Sequence, residues 1–253
     1  MTAATTIITV LGARPQFIKA AVVSRAIAAR AGVREAILHT GQHFDERMSQ
    51  VFFEEMGIPA PRWNLGVSGL GHGAMTGRML EGIEAILAES RPDLVLVYGD
   101  TNSTLAGALA AAKLGIPIGH VEAGLRSFNR AMPEEVNRIL TDHAAQMLFA
   151  PTATAVANLR REGFAESAIH AVGDVMYDAC LQFGALAAER STVLRDLGLA
   201  GRPYALATIH RQENTDDPRR LEEPSWFVPF GQPLPSGVSS RKPSRSETGT
   251  RPE

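Results

Sequence analysis

Short apolar segments alternate with longer helical stretches along most of the chain, and no tight β-hairpin turn joins neighbouring segments. The segments that read as strands are Thr5–Leu11, Arg34–Thr40, Leu94–Tyr98, Pro117–Val121, Met147–Ala150, Ile169–Val172 and Tyr204–Ile209. The helical patterns between them cover Phe17–Arg30, Asp45–Met56, Ala74–Ser90, Thr101–Leu114, Pro133–His143, Thr152–Arg161 and Val175–Arg190. This alternation predicts repeated βαβ units, and therefore an α/β fold with a doubly wound parallel sheet and helices on both faces.

The alternation also predicts the domain organisation. The first six strands complete a Rossmann-like domain over residues 1–186, and residues 187–222 form a linker and the start of a second such unit. Residues 223–253 differ in composition: they contain no alanine, six prolines and six serines. We expect this segment to be either a natural disordered tail or the product of a shifted reading frame.

Overall charge and cysteine content exclude several classes of protein. The chain has 25 basic and 27 acidic residues, so it lacks the basic footprint that nucleic acids or anionic membranes require. The apolar run Thr5–Leu11 is too short to span a bilayer. Cys180 is the single cysteine and has no partner for an internal disulfide, which fits a reducing compartment. We therefore predict a soluble cytoplasmic protein.

Charged and polar residues follow four of the predicted strands. They lie in the segments Gly12–Lys19, Gly99–Thr104, Glu122–Ser127 and His210–Asn214. Because ligands of doubly wound sheets bind beyond the carboxyl ends of the strands, this repetition predicts an active site at that edge.

Most of the candidate residues also have a purely structural interpretation, and Glu122 is the exception. Arg14 and Lys19 flank a helix start that favours a phosphate, but both could be ordinary solvated residues. Asp100 could simply cap the following helix. Glu134 could pair with Arg138 at the i,i+4 spacing. Glu122 ends a buried strand and has no helix to cap, so it needs a substrate or a cation, for which Arg126 and Arg138 are the candidates.

The sequence contains no motif for a metal or a nucleotide cofactor. His39 and His43 are four residues apart, but a turn separates them, and no H-E-x-x-H or C-x-x-C pattern occurs. The glycine cluster Gly69–Gly73 follows no strand and is interpreted as a flexible loop. The remaining carboxylates, arginines and histidine suit acid/base chemistry on a phosphorylated substrate without a cofactor.

Seven motifs together resemble the non-hydrolysing UDP-N-acetylglucosamine 2-epimerases over about Thr5 to Leu221. They are G-A-R-P-Q-F-I-K-A, T-G-Q-H, Y-G-D-T-N-S-T, H-V-E-A-G-L-R-S, M-P-E-E-V-N-R, V-G-D-V-M-Y-D and T-I-H-R-Q-E-N. The resemblance implies the N-terminal half of a glycosyltransferase-B type two-domain fold, with a UDP-sugar between the domains, and a homodimer in full-length members. It also implies a role in cell-surface polysaccharide synthesis.

The same resemblance implies a mechanism and its residues. UDP is expelled to give a 2-acetamidoglucal and is then added back to the opposite face. The residues that match the catalytic groups are Asp100, Glu122, Glu134, Arg138 and His210. Those that match substrate-binding positions are Arg14, Lys19, Arg211, Glu213 and Asn214. No cofactor is implied, and the role of each carboxylate stays open.

Three alternatives remain open. The form of the first motif and the segment Ser127–Met132 resemble a subgroup that acts on UDP-2,3-diacetamido-2,3-dideoxy-glucuronate. A glycosyltransferase of the same fold is the second alternative, although such enzymes lack the paired P-E-E-V-N-R and T-I-H-R-Q-E-N motifs. The third is an inactive fragment, because most of the family's second domain is missing from this chain. We predict negligible epimerase activity for the 253 residues alone.

Overall fold

The protein is described here by a computed structural model, which covers residues 4–42, 53 and 55–206. The chain divides into two compact units, Met1–Ser191 and Thr192–Glu253. This division does not test the domain boundaries that the sequence predicts at residues 187 and 223, and they stay predictions. No helix in the described ranges is long and apolar enough to cross a bilayer.

The first unit is built on a parallel sheet of seven strands in the order β3-β2-β1-β4-β5-β6-β7. The strands are β1 Thr5–Leu11, β2 Val33–His39, β3 Trp63–Asn64, β4 Leu94–Tyr98, β5 Ile118–Val121, β6 Met147–Ala150 and β7 Ile169–Ala171. Every paired strand runs parallel to its neighbour. The strand order reverses between β1 and β4, which is the switch point where ligands of this fold bind.

Helices connect the strands and lie on both faces of the sheet. The helices are α1 Arg14–Ala28, α2 His72–Ser90, α3 Asn102–Lys113, α4 Pro133–Ala144, α5 Ala153–Arg161 and α6 Val175–Arg190. A short 3₁₀ helix, Glu166–Ala168, precedes β7. The predicted α/β class with a doubly wound parallel sheet is therefore confirmed.

Side-chain alternation along the strands fills two separate cores. On β4, Val95 and Val97 pack with residues of α2 and α3, whereas Leu96 and Tyr98 pack with residues of α1. Successive side chains of a strand point to opposite faces, so a continuous apolar run marks a strand buried on both sides. The Leu94–Tyr98 run was interpreted in this way, and the burial agrees.

Several predicted boundaries need correction. The pattern predicted six strands in the first domain, but Trp63–Asn64 adds a seventh at the sheet edge, paired with β2. The glycine cluster Gly69–Gly73 was predicted as a loop, but its last two residues are helical, because α2 begins at His72. Helix α1 begins at Arg14, three residues before the predicted start.

Two predicted elements fall largely outside the described residues. Of the predicted helix Asp45–Met56, only residues 53, 55 and 56 are described, and they are helical. Of the predicted strand Tyr204–Ile209, residues 204–206 are described and are not in a strand. In the second unit, the described residues include one short helix, α7 Val193–Asp196, at whose start the Thr192 hydroxyl donates to Asp196.

Candidate active site

The segments that follow β1, β4 and β5 converge at the carboxyl edge of the sheet, on either side of the switch point. Lys19 of α1 pairs with Glu122, which follows β5. Gly99, at the end of β4, lies beside this pair: a Cβ at this position would stand 3.1 Å from the Glu122 carboxylate and 3.3 Å from the Lys19 ammonium group. Because Asp100 directly follows Gly99, the predicted residues of three segments meet at one place.

Glu122 is held in an unusual backbone conformation. Its φ is +74°, in the left-handed region that a residue with a side chain seldom adopts. Such a conformation costs on the order of 1–3 kcal/mol and persists only where the surroundings enforce it. Here the Lys19 ion pair holds the side chain. The strained turn thus directs the carboxylate toward the lysine.

The predicted cation partner of Glu122 was wrong. We expected Arg126 or Arg138, but both guanidinium groups are engaged elsewhere: Arg126 pairs with Asp142 and Glu162. The lysine that occupies this place was itself predicted as a ligand for an anionic substrate. Its ammonium group therefore faces a carboxylate in this structure, and an incoming anion would share it.

Arg138 connects α4 to the turn after β4. Its guanidinium contacts Asp100 through Nη2 and Glu135 through Nη1, the latter at 2.8 Å. The predicted pairing with Glu134 is wrong, because Glu134 is exposed while the buried Glu135 takes the arginine. The two catalytic candidates on either side of Arg138 therefore differ: Asp100 is tied to it, and Glu134 points outward.

Glu135 is fixed by the loop that precedes α4. Its carboxylate accepts hydrogen bonds from the backbone N–H groups of Ser127 and Phe128, each at 2.9 Å. Burial would raise the pKa of Glu135, but the hydrogen bonds from Ser127 and Phe128, with the charge of Arg138, bring the pKa below its usual range. Glu135 was not among the predicted site residues, although it stands inside the P-E-E-V-N-R motif. It anchors the loop and Arg138 together.

Asp100 does not cap the following helix. The N-cap of α3 is Thr101, whose hydroxyl accepts a hydrogen bond from the Thr104 N–H. The structural interpretation of Asp100 was therefore wrong by one position. With the cap supplied by its neighbour, the Asp100 carboxylate is left for Arg138 and for whatever binds in front of it.

A second set of polar residues, which the sequence interpretation missed, fixes the floor of the site. Gln16 accepts hydrogen bonds from the N–H groups of Gly12 and Ala13 and donates to the Tyr98 carbonyl at 2.9 Å, which ties the end of β1 to the end of β4. The hydroxyl groups of Thr40 and Ser103 lie 2.7 Å apart. A Cβ on Gly12 would stand 2.0 Å from Thr40 Oγ1, so only glycine fits there.

Amide side chains extend this set toward α2 and α4. Asn137 donates to the Asp100 carbonyl at 2.9 Å and to Asn102 at 3.2 Å. Asn102 in turn contacts the His72 ring at the start of α2. The glycine cluster that was interpreted as a flexible loop thus contributes a histidine beside the site. The recurrence of small polar residues after each strand is the signal by which these residues could have been found.

Behind Asp100 and Glu122 lies a buried network of charged side chains. His120 Nδ1 is 2.7 Å from Asp142 Oδ1, and both side chains have no solvent exposure. The other oxygen of Asp142 accepts from Arg126 at 2.7 Å and from the Gly124 N–H at 3.0 Å. Arg126 also donates through two nitrogens to the Glu162 carboxylate. This network is called the His120–Asp142–Arg126–Glu162 network below.

Charge compensation sets the ionisation of this network. Burial would raise the pKa of Asp142, but its hydrogen bond to His120, with the charges of His120 and Arg126, lowers the pKa below its usual range. Burial would lower the pKa of Arg126, but the bond to Glu162 and the charge of Asp142 raise it. The network holds two carboxylates against Arg126 and His120.

Not every predicted site residue is within the described part of the chain. Arg14 is described and lies exposed in the first turn of α1. His210, Arg211, Glu213 and Asn214 lie outside the described residues, as does His43. Within the described ranges, no three His, Cys, Asp or Glu side chains are grouped so that they could hold a metal ion.

Comparison with known proteins gives a consistent result. The family model for UDP-N-acetylglucosamine 2-epimerase matches residues 25–227. A Pseudomonas aeruginosa protein named UDP-2,3-diacetamido-2,3-dideoxy-D-glucuronate 2-epimerase is 58% identical over 218 residues, which are 85% of this chain and 60% of that protein.

Solved structures agree with the sequence comparison. The Methanocaldococcus jannaschii UDP-GlcNAc 2-epimerase in complex with UDP-GlcNAc and UDP superposes with a TM-score of 0.80 at 46% identity, over 86% of this chain and 60% of that one. The Neisseria meningitidis UDP-GlcNAc 2-epimerase bound to UDP-GlcNAc gives 0.73 at 29% identity, over 83% and 58%. The chain thus spans about 60% of the length of these relatives.

Proposed function

Because the chain belongs to the UDP-N-acetylglucosamine 2-epimerase family, we propose that its first unit is the N-terminal half of an isomerase that inverts C2 of a UDP-linked sugar. The observation that carries the proposal is the meeting of two ion-paired carboxylates, Glu122 and Asp100, at the switch point of a doubly wound sheet. Each carboxylate comes from a different strand, and each faces a cation.

Two separate carboxylates suit the chemistry of inversion at C2. The C2 proton lies next to no carbonyl group, so it cannot be removed alone. In the proposed elimination, a carboxylate takes that proton, the C–H electrons form a double bond between C1 and C2, and the C1–O bond breaks to release UDP. Re-addition of UDP requires a proton at C2 from the opposite face. One carboxylate on each side of the sugar provides this, as general base in one step and general acid in the other.

The departing diphosphate needs positive charge. Lys19 and Arg14 lie on the first turns of α1, near the end of the helix that carries the positive pole of its dipole. In the proposal, the diphosphate approaches this helix end, and Arg138 stabilises Asp100 nearby. Glu134 and His210 are proposed as further catalytic groups, and Arg211, Glu213 and Asn214 as substrate contacts, on the resemblance of their motifs.

Two substrates are supported by named relatives. UDP-N-acetylglucosamine is supported by the family model and by the Methanocaldococcus jannaschii relative, whose structure contains UDP-GlcNAc and UDP. UDP-2,3-diacetamido-2,3-dideoxy-glucuronate is supported by the name of the Pseudomonas aeruginosa relative, which shares 58% of its aligned residues with this chain. Both reactions use the same inversion at C2, so the same carboxylates serve either substrate.

The remaining features of the proposal follow from the family. We expect the UDP-sugar to lie between this unit and a second domain of a glycosyltransferase-B type fold, in a homodimeric cytoplasmic enzyme that supplies polysaccharide synthesis without a cofactor. The chain spans about 60% of the length of its relatives, and a preorganised site loses most of its effect when water reaches it. We therefore expect the 253 residues alone to turn over poorly.

A chimeric protein provides the test. Residues 1–221 are joined to the part of the Methanocaldococcus jannaschii enzyme that this chain does not cover. The resulting chimera is incubated with each UDP-sugar. The proposal predicts slow release of UDP together with the unsaturated sugar, a 2-acetamidoglucal when UDP-N-acetylglucosamine is used. Glu122→Gln and Asp100→Asn should each abolish the release, whereas Glu81→Gln, on an exposed face of α2, should not. A folded chimera that binds UDP but releases no unsaturated sugar from either substrate would contradict the proposal.

A further inference from the structure

The His120–Asp142–Arg126–Glu162 network contains no residue that the proposed mechanism uses, yet it contacts both turns that carry the proposed carboxylates. His120 Nε2 lies 2.7 Å from the carbonyl oxygen of Gly99, the residue directly before Asp100. Asp142 Oδ2 accepts from the N–H of Gly124, which is two residues after Glu122. The pair His120–Asp142 therefore spans the distance between the two turns.

The contacts of the His120 ring determine where its protons are. Nδ1 faces a carboxylate oxygen and Nε2 faces a carbonyl oxygen, each at 2.7 Å. Both neighbours are acceptors. A neutral imidazole has one N–H and one lone pair, so either tautomer would direct a lone pair at an oxygen at hydrogen-bond distance. Only the imidazolium, which has two N–H groups, satisfies both contacts.

Protonation of Asp142 is not an alternative way to satisfy the contact. Its second oxygen already accepts from Arg126 and from the Gly124 N–H, and these donors favour the anionic carboxylate. The charged groups around the ring come from three elements: Asp142 from α4, Arg126 from the loop after β5, and Glu162 from the end of α5. His143 lies near Glu162 at 3.7 Å. On the neighbouring strands, the residues in register with His120 are the apolar Val97 and Leu148.

Charge balance makes a buried imidazolium acceptable here. With the ring protonated, the network has two positive and two negative side chains, and each charged group has a bonded partner. With the ring neutral, the Asp142 oxygen that faces it would lose its donor or its opposite charge. An unpaired charge in a buried position is strongly destabilising, whereas a paired and hydrogen-bonded one is tolerated.

The turns that the network holds are backbone conformations that need support. Gly99 and Gly124 have φ values of +65° and +79°, and Glu122 between His120 and Gly124 has +74°. A carboxylate displaced by about 1 Å can slow a reaction about 100-fold, so the relative position of the two turns matters to a two-carboxylate mechanism.

We infer that His120 is a positioning residue: as an imidazolium paired with Asp142, it locks the turn that carries Asp100 to the turn that carries Glu122. This inference rests on the proposed function for its purpose, because it supports the two carboxylates of that mechanism. Neither His120 nor Asp142 touches the proposed substrate position. Loss of the ring proton would release the Gly99 carbonyl or the Asp142 carboxylate, and both turns would respond together.

The test uses the 253-residue chain itself, labelled with ¹⁵N, and nuclear magnetic resonance of its histidine rings. The His120 ring is expected to carry two slowly exchanging N–H groups in the spectrum recorded at pH 7, because both ring nitrogens face acceptor oxygens. The ring signals are assigned to His120 by correlation with its own backbone resonances in the unchanged chain. A His120 ring with one bare nitrogen at pH 7 overturns the inference, and this measurement needs no variant to fold.

The positioning role is tested by a second readout. Asp142→Asn should remove the charge that holds the imidazolium, shift the amide resonances of both Asp100 and Glu122, and speed exchange of the Gly124 amide by about tenfold. The control is Asp178→Asn, the same change at an exposed position of α6, which should leave all three amides unchanged. Movement of only one turn in Asp142→Asn overturns the lock. No sugar nucleotide is present in these measurements, so their outcome is independent of whether the chimera has epimerase activity.

Discussion

Lys19 and Glu122 form an ion pair although 103 residues separate them, because β1 and β5 deliver α1 and the Glu122 turn to the same edge of the sheet. The pair brings a proposed anion-binding cation together with a proposed catalytic carboxylate. Replacing Glu122 by Gln removes a negative charge from the side of Lys19. At about 4 Å in water, the interaction between two unit charges is worth about 1 kcal/mol. The Glu122→Gln chain should therefore bind UDP about fivefold more tightly than the unchanged chain.

Calorimetric titration of UDP into the chain and into Glu122→Gln measures this effect. Glu81→Gln removes an equal charge from the exposed surface of α2 and serves as the control for net charge. We expect Glu122→Gln to bind UDP more tightly than the unchanged chain does. We expect Glu81→Gln to bind UDP with the same affinity as the unchanged chain. An affinity that does not respond to Glu122→Gln would place the anion away from Lys19.

The helix cap at Thr101 separates the structural role of this turn from its chemical role. Thr101→Ala should lower the free energy of unfolding by about 1 kcal/mol, because the Thr104 N–H loses its acceptor. Asp100→Ala should change it by less than about 1 kcal/mol, since its pair with Arg138 is partly exposed and Arg138 retains Glu135. Urea unfolding of both variants checks the order; a larger loss in Asp100→Ala would contradict it.

Glu35 is a half-buried carboxylate whose raised pKa predicts that its charge lowers the stability of the fold at neutral pH. Burial raises its pKa, although Thr9, which donates to Oε1 at 2.5 Å, and Ser24 both lower it. The folded chain therefore holds this proton more tightly than the unfolded chain, whose glutamate titrates near about 4.3, so stability falls as pH rises from there through the folded pKa. Glu35→Gln should raise the melting temperature, and by more at pH 8 than at pH 5.

The gain from Glu35→Gln should be about 1 kcal/mol at pH 8, since an amide needs less desolvation than a carboxylate at the same site. Thermal melts at the two pH values supply the measurement. An equal gain at both values would mean that the carboxylate is not the source, and a loss at pH 8 would mean that its charge is stabilised by a partner.

The close contacts around Gly12 predict that a residue with a side chain cannot replace it without a loss of stability. A Cβ there would lie 2.0 Å from Thr40 Oγ1 and 2.1 Å from Ser103 Oγ, so Gly12→Ala must displace both hydroxyl groups. Overpacking of this kind costs about 1–3 kcal/mol. Gly77→Ala is the matched control: this helical glycine has open space around it, and alanine should stabilise α2 by up to about 1 kcal/mol.

The sequence was sufficient to predict most of the sheet and its helices, because strands buried on both faces are continuous apolar runs and helices have their own period. β3 was missed since Trp63–Asn64 is only two residues long and has no periodic signal. Its existence depends on the edge of β2, to which it pairs. The cap of α3 was placed one residue early, because aspartate is preferred over threonine at an N-cap, whereas the backbone of this turn puts Thr101 at that position.

The candidate site was predicted in its location but not in its pairings. The carboxyl ends of parallel strands meet at one edge, so the sequence predicted which segments converge. It could not predict that Glu122 pairs with Lys19, since no local spacing relates residues 103 positions apart. The i,i+4 rule suggested Glu134 for Arg138, whereas the burial of Glu135 beside the Ser127 loop decided otherwise. His120 and Asp142 were missed for the same reason: their pairing exists only after β5 and α4 have packed.

The most direct test of the account is the appearance of deuterium at C2 of the sugar when the chimera of residues 1–221 is incubated with UDP-sugar in deuterated water. Removal and return of the C2 proton by carboxylates exchanges it with solvent. We predict deuterium at C2 in both epimers with the chimera, none with its Glu122→Gln variant, and none with the 253-residue chain alone. A chimera that folds and binds UDP but leaves C2 fully protonated with both UDP-sugars would contradict the proposed function.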